Sequence, residues 1–268
     1  MTTTTRRSFL QNTSLASAAV AFPAFVRGQN LNSKLQVACV GVNGMGFSDL
    51  KNVGTHAAVK FVGFCDVDAN RFDQADKAHP GVRHFSDYRE MFNTLGDGFD
   101  AVTVGIPDHM HAPVAVAAMQ RKKHVYCQKP MTNTVYEARL MADTARRIRK
   151  ATQVATVNAS DEDTDLLCEL IWSGAIGPIR EVHNWSHRPV WPQGMHTLPA
   201  PEAVPAGFDW DLWQGPSQPK PFSYQYTHTV FRGWWEYGTG AIGDMGCYSF
   251  DVIFRALKLG YPVSIEAN

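Results

Sequence analysis

Lys129, set in Gln128-Lys129-Pro130, is the residue of this chain best suited to chemistry. It follows His124–Cys127, a short run with the texture of a buried strand, and strand ends of this kind present their loops to a ligand crevice. A lysine in a partly desolvated crevice yields its proton more readily. It can then shuttle the proton of a substrate hydroxyl while hydride leaves the same carbon. By itself such a lysine serves equally well to hold a phosphate or to face solvent, so it needs partners. These are supplied by Gly240-Ala241-Ile242-Gly243-Asp244-Met245-Gly246-Cys247-Tyr248-Ser249-Phe250-Asp251. On a helix, positions 244, 248 and 251 share a face, which aims a carboxylate, a phenol and a second carboxylate together.

A nicotinamide must be held by its dinucleotide, and Leu35–Gly46 (LQVACVGVNGMG) is built for that. Leu35–Val40 reads as a central strand of a parallel sheet. The turn Gly41-Val42-Asn43-Gly44-Met45-Gly46 then lets the backbone bend, and a helix starts whose free amides face a pyrophosphate. Asn43 stands where the G-x-G-x-x-G fingerprint has its middle glycine. Val59–Cys65 reads as the second strand and ends at Asp66, whose carboxylate suits adenosine ribose hydroxyls and repels a 2′-phosphate. The expected cofactor is therefore NAD.

Strands are expected at Val82–Phe85, Ala101–Ile106, His124–Cys127 and Thr152–Val157, and helices at Asp87–Asn93, Ala112–Gln120 and from the capping box Thr134-x-x-Glu137 to Arg149. This alternation predicts an α/β fold, a Rossmann-type doubly wound parallel sheet whose crevice lies at the strand carboxyl ends. Three such ends converge there: Pro107-Asp108-His109-Met110-His111, Gln128-Lys129-Pro130, and Asn158. After Val157 a helix over Asp163–Ser173, a strand around Ile179–Ser186 and about fifty residues rich in Trp, Pro and Gly are expected to form a substrate-side wall. A last helix, Ala241–Leu259, and the start of a strand, Pro262–Ala267, close the chain. The division is 34–157 for the nucleotide and 158–268 for the substrate.

Lys+Arg 25 against Asp+Glu 25 leaves no net charge, which excludes a basic field for nucleic acid. Thr5-Arg6-Arg7-Ser8-Phe9-Leu10 followed by the alanine-rich run Leu15–Phe25 reads as a twin-arginine export signal over residues 1–29, so a periplasmic protein is expected. The run is too short, and too broken by Pro23, for a stable membrane span. The five cysteines lack a C-x-x-C spacing and read as small buried hydrophobes. Asp108, His109 and His111 lack ligand spacing, and no metal is expected.

In combination the glycine turn with Asp66, PDHMHAP, CQKP, RPVWPQG, FDWDLWQGP and GWWEYGTGAIGDMG resemble the Gfo/Idh/MocA oxidoreductase family over Leu35 to Ala267, especially its exported branch. The resemblance implies a Rossmann domain followed by an α+β domain with a large open antiparallel sheet, of which this chain, stopping at Asn268, is expected to hold only a part. It implies oxidation or reduction of a sugar or polyol with a bound nicotinamide cofactor, with Lys129 acting on the hydroxyl, helped by Asp244 and Tyr248. Gln128 stands for the usual glutamate of E-K-P, and Tyr248 for the histidine of most members. Cofactor contacts are expected from Gly41, Asn43, Gly44, Met45, Gly46, Asp66, Pro107, His109, His111, Gln128, Lys129 and Asn158, and stacking of bound sugar on Trp191 or Trp235. A glycosidase that oxidises its sugar transiently, and a truncated non-catalytic NAD-binding protein, are the alternatives. A lone strand at Pro262–Ala267 should fray or pair with another chain, which leaves a homo-oligomer open.

Overall fold

A computed structural model describes residues 34–156, 161–188 and 190–267. The expected export signal and Asn158 lie outside them. Six parallel strands form one sheet in the order β3-β2-β1-β4-β5-β6: β1 Leu35–Val40, β2 Val59–Cys65, β3 His84–Phe85, β4 Ala101–Val104, β5 His124–Gln128 and β6 Thr152–Ala155. The order reverses direction at β1, between β2 and β4, and that switch point is where an open α/β sheet forms its crevice.

The two faces are legible in β1. Val37 and Cys39 join Leu50, Phe61, Phe64 and Phe72 on one side, while Ala38 and Val40 join Val102, Val104, Val114 and Met119 on the other, as the two-residue period of a strand demands. Phe61 and Phe64 break that period yet share a face. One extra residue of β2 between the partners of Val37 and Ala38 makes a bulge that restores the inward aim.

Helices cover both faces: α1 Met45–Gly54, α2 Asp73–Ala78, α3 Tyr88–Leu95, α4 Asp108–Gln120 and α5 Val135–Ile148. The expected capping box opens α5, with Thr134 and Glu137 bonding reciprocally. Two expectations are corrected. Helix α4 starts at Asp108, not Ala112, and runs through Pro113; a proline this near a helix start removes only one early hydrogen bond. Strand β3 begins at His84, not Val82.

Beyond β6 come α6 Glu162–Trp172, α7 Trp210–Gln214 and α8 Gly240–Leu257. Between α6 and α8 the core is aromatic, with Phe208, Trp210, Trp213, Phe222, Tyr226, Phe231, Trp234 and Tyr237 buried together and Trp210 stacked on Trp213 at 4.9 Å. The strands expected at Ile179–Ser186 and Pro262–Ala267 are absent: both stretches are irregular. A strand exists only as a pair, and among the described residues neither stretch has a ladder partner. Val263 and Ile265 are fully exposed or nearly so. Four of the cysteines are buried and all five are free. No described helix is long and apolar enough to cross a membrane.

Candidate active site

The switch point opens into a cleft of about 910 Å³ lined from both halves of the chain. Its cofactor end rests on three interlocked glycines. Gly41 has φ +82°, and a Cβ there would meet the Gly105 carbonyl oxygen at 2.2 Å. A Cβ on Gly46 would meet the Gly41 carbonyl oxygen at 2.3 Å, and one on Gly105 the Gly46 Cα at 2.5 Å. The ends of β1 and β4 and the first turn of α1 thus touch backbone to backbone. Gly105 was not foreseen, because one glycine after a strand carries no signal of its own. Helix α1 starts at Met45 behind Gly44, with no side-chain cap, so its first amides and positive dipole end are left to a ligand. Asn43 braces the turn from both sides: its Oδ1 accepts from the Gly44 amide at 2.7 Å and its Nδ2 donates to the Arg71 carbonyl at 3.4 Å.

Asp66 lies beside this turn. Its carboxylate accepts from the amides of Val42 (3.2 Å) and Asp68 (3.1 Å), which leaves lone pairs for further donors. Burial, resisted by those two bonds, pushes its carboxyl up to about 6. A glycine cradle that no side chain could fill, an uncapped helix start and this acid fit a dinucleotide. Gly41, Asn43, Gly44, Met45 and Asp66 line the cleft, as do Pro107, Gln128 and Lys129.

At the other end Lys129, Asp244, Tyr248 and Arg232 come together in the same cleft. Lys129 Nζ donates to Asp244 Oδ1 at 2.6 Å and to the Asp244 carbonyl at 3.0 Å, and stands 4.5 Å from the centre of the Tyr248 ring, within range of cation–π attraction. Asp244 is 1% exposed because α8 enters the molecule there. Its Oδ1 also accepts from Arg232 Nε at 3.2 Å, while its Oδ2 is buried with no partner. One carboxylate therefore serves two cations and keeps one oxygen spare. Arg232 was missed, since a lone basic residue between aromatics reads as a solvated face; its second bond, from Nη1 to the Thr229 carbonyl at 3.2 Å, folds the guanidinium back over its own turn and so restricts its approach to Asp244. Asp108, buried at the start of α4, accepts from Thr239 Oγ1 at 3.1 Å, and burial raises its carboxyl to about 6 against the pull of Arg232.

Four expected contacts are corrected. His109 and His111 do not line the cleft; both are buried beneath it. His109 Nε2 is 2.8 Å from the Trp213 carbonyl and Nδ1 3.3 Å from that of Tyr237, so it bolts α4 to the aromatic core. His111 lies 2.7 Å from the carbonyls of Ile106 and Pro130 and ties together the loops after β4 and β5. A neutral imidazole donates from one nitrogen only. A second proton would satisfy both carbonyls but place a bare charge in the interior; burial prevails and lowers both rings to about 4. Trp191 is buried, with Arg232 5.7 Å over its ring, and Trp235 is 91% exposed; neither lines the cleft, whose aromatic lining comes instead from Tyr88, Phe208, Trp213, Phe231 and Tyr248. Asp251 is also off the cleft. No group of three or more His, Cys, Asp or Glu among the described residues is placed to hold a metal.

Family profiles agree with this two-part layout. Residues 35–156 match the GFO_IDH_MocA profile, described as an oxidoreductase family with an NAD-binding Rossmann fold, and residues 172–268 match the C-terminal alpha/beta domain of the same oxidoreductase family. The chain is 28% identical over 153 residues to an inositol 2-dehydrogenase of Salmonella paratyphi B, covering 56% of this chain and 45% of that one. It is 28% identical over 155 residues to glycosyl hydrolase family 109 protein 1 of a Shewanella species, covering 54% and 33%. The structure of myo-inositol 2-dehydrogenase from Lactobacillus plantarum shares 24% identity over 55% of this chain and 43% of that one, with a TM-score of 0.49. This chain spans less than half the length of these relatives. With both domain profiles matched in order, and an NAD cradle where the first requires it, the chain belongs to the Gfo/Idh/MocA family of oxidoreductases.

Proposed function

We propose that this protein moves a hydride between NAD and a hydroxyl-bearing carbon of a sugar or related polyol, with residues 34–157 serving the nucleotide and 158–268 the substrate. The observation that carries the reading is the Lys129 ammonium, 2.6 Å from Asp244 and 4.5 Å from the Tyr248 ring, in the cleft that the glycine turn also lines. When bound, NAD supplies the hydride acceptor. In its unprotonated amine form Lys129 takes the proton of the substrate hydroxyl as that carbon becomes a carbonyl, and as the ammonium it gives the proton back in the reverse direction. Asp244 Oδ1 holds the ammonium in place, and Tyr248 shields the lysine and relays its proton. The aromatic walls suit the apolar face of a sugar ring.

The test is NADH formation with myo-inositol and a panel of free sugars, in wild type and Lys129→Met. Turnover that falls by about 10²–10⁴ in the variant, with NAD binding unchanged, supports the reading. Equal turnover in both sinks it. The Shewanella relatives favour a second reading, a glycosidase that oxidises its sugar transiently; release of an aglycone with no net NADH would establish it. The proposal extends to export through the twin-arginine pathway, supported by Arg6-Arg7 ahead of an alanine-rich run. Replacing both arginines by lysine should hold the protein in the cytoplasm, and an unchanged distribution would refute that part.

A further inference from the structure

Asp49 is a buried carboxylate in the second turn of α1, 6% exposed, with no cation against it among the described residues. Both of its oxygens face a single nitrogen, Gln128 Nε2, at 2.9 and 2.8 Å. Gln128 is itself 5% exposed and ends β5, one residue before Lys129. We infer that Asp49 is a positioning residue: through Gln128 it locks the strand end that carries Lys129 to the helix whose first turn holds the dinucleotide.

Burying an ionised group is costly unless a donor meets it, and the Gln128 amide is the donor at hand. The other titratable groups facing Asp49 are Cys39 of β1 and Tyr126 and Cys127 of β5. Burial raises all three, so they stay neutral and offer no countercharge. Gly105 closes the remaining side, where a Cβ would stand 3.6 Å from Asp49 Oδ2. The arrangement therefore has room for one carboxylate and one amide. A glutamate at 128 would set two carboxylates about 3 Å apart, where they must share a proton, which accounts for the amide at this place. Which partner bears the charge matters less than that only one does.

The inference rests on the catalytic reading of Lys129, and its test needs no turnover. Gln128→Glu, Asp49→Asn and the exchange Asp49→Asn/Gln128→Glu are compared with wild type in NADH binding by fluorescence, in thermal unfolding from pH 5 to 9, and in the acylation rate of Lys129 relative to Lys34, followed by peptide mass spectrometry. In Gln128→Glu the shared proton raises the pair above ordinary carboxylates, so stability falls as pH rises through that raised value. NADH binding should weaken by about tenfold above it, and Lys129 should label several-fold faster as its loop loosens. The exchange variant should restore all three to within about twofold. Unchanged labelling and binding in Gln128→Glu would overturn the inference, as would an exchange variant no better than Gln128→Glu, including the case in which both fail to fold. Folding restored by the exchange supports it. If these results hold while no sugar is oxidised, the dehydrogenase reading fails and the coupling stands.

Discussion

Asp244 and Lys129 face each other across a short ion pair, yet the structure makes them unequal. Lys129 has one carboxylate partner, whereas Asp244 Oδ1 is shared by Lys129 at 2.6 Å and Arg232 at 3.2 Å. Replacing Lys129 by Met leaves Asp244 with Arg232, so the charge stays paired. Replacing Asp244 by Asn leaves two cations side by side with side-chain exposures of 9% and 22%, with neither ion-paired directly and only Asp108, bonded to Thr239, as a carboxylate nearby. Breaking a buried pair from the side that strands a charge costs about 3–5 kcal/mol, while the variant that keeps a pair should lose about 1–2 kcal/mol, chiefly one charge-assisted bond. For a chain of this size each kcal/mol moves the midpoint by roughly 2–4 °C, so Asp244→Asn should melt roughly 6–20 °C below wild type. The double variant Asp244→Asn/Lys129→Met should be more stable than Asp244→Asn alone, because it removes one stranded cation. Thermal unfolding followed by circular dichroism, with urea titrations to check that the slope is unchanged, measures all three. A Lys129→Met midpoint at or below that of Asp244→Asn would refute the shared-carboxylate account.

Three further outcomes follow from the site. Asp66 is raised to about 6, so NAD affinity should weaken as pH drops below that value; Asp66→Asn should bind NAD about tenfold more weakly at neutral pH and lose the inflection, read by isothermal calorimetry. Gly46→Ala would drive a Cβ to within 2.3 Å of the Gly41 carbonyl oxygen, so either α1 or β1 must move; it should abolish measurable NADH binding while Gly260→Ala, where a Cβ meets nothing within 4 Å and the backbone is not left-handed, leaves it intact. His109 and His111 are lowered to about 4 from 6.5; a base lowered on folding contributes stability that is complete above the unfolded value and lost as pH falls through 6.5 toward 4, on the order of 3 kcal/mol for each. His111→Asn should therefore flatten the acid limb of a plot of midpoint against pH, and an equally steep limb would count against a neutral buried ring.

The parallel sheet was readable because β1, β2 and β4 are short apolar runs that stop at Gly or Asp, a signal local to each segment. The cleft's two ends were readable for the same reason: the glycine turn with Asp66, and Lys129 with Asp244 and Tyr248, announce themselves by type and spacing. Long-range partners were not. Asp49 and Arg232 acquire their roles only from Gln128 and Asp244, which stand 79 and 12 residues away; in the sequence each is one charge among others. His109 and His111 misled in the opposite direction, since a histidine at a strand-end loop looks like a ligand contact until its ring is seen between two carbonyls. Trp191 and Trp235 show the limit of composition: a segment rich in aromatics must bury many of them, but without a period nothing says which ones turn toward the cleft.

What holds the two halves of the site in register is the aromatic segment. Its residues 206–209 run against the loop after β2: the Ala69 amide donates to the Gly207 carbonyl at 2.7 Å and the Asp209 amide to the Val67 carbonyl at 2.8 Å. Asp68, beside Asp66, accepts from Arg71 at 3.1 Å and faces His228 at 3.2 Å. Some thirty residues further on the same segment passes into α8, which delivers Asp244 and Tyr248 to Lys129. The segment thus touches the cofactor end through Asp68 and Gly207 and the chemical end through Arg232, with His109 as the bolt between its core and α4. A hydride transfer needs its acceptor and its proton carrier placed to a fraction of an ångström. In the reaction proposed for this protein that placement falls to hydrogen bonds from one irregular stretch to both ends of the cleft, so a loosened Asp68 contact, remote from Lys129, should still be felt there.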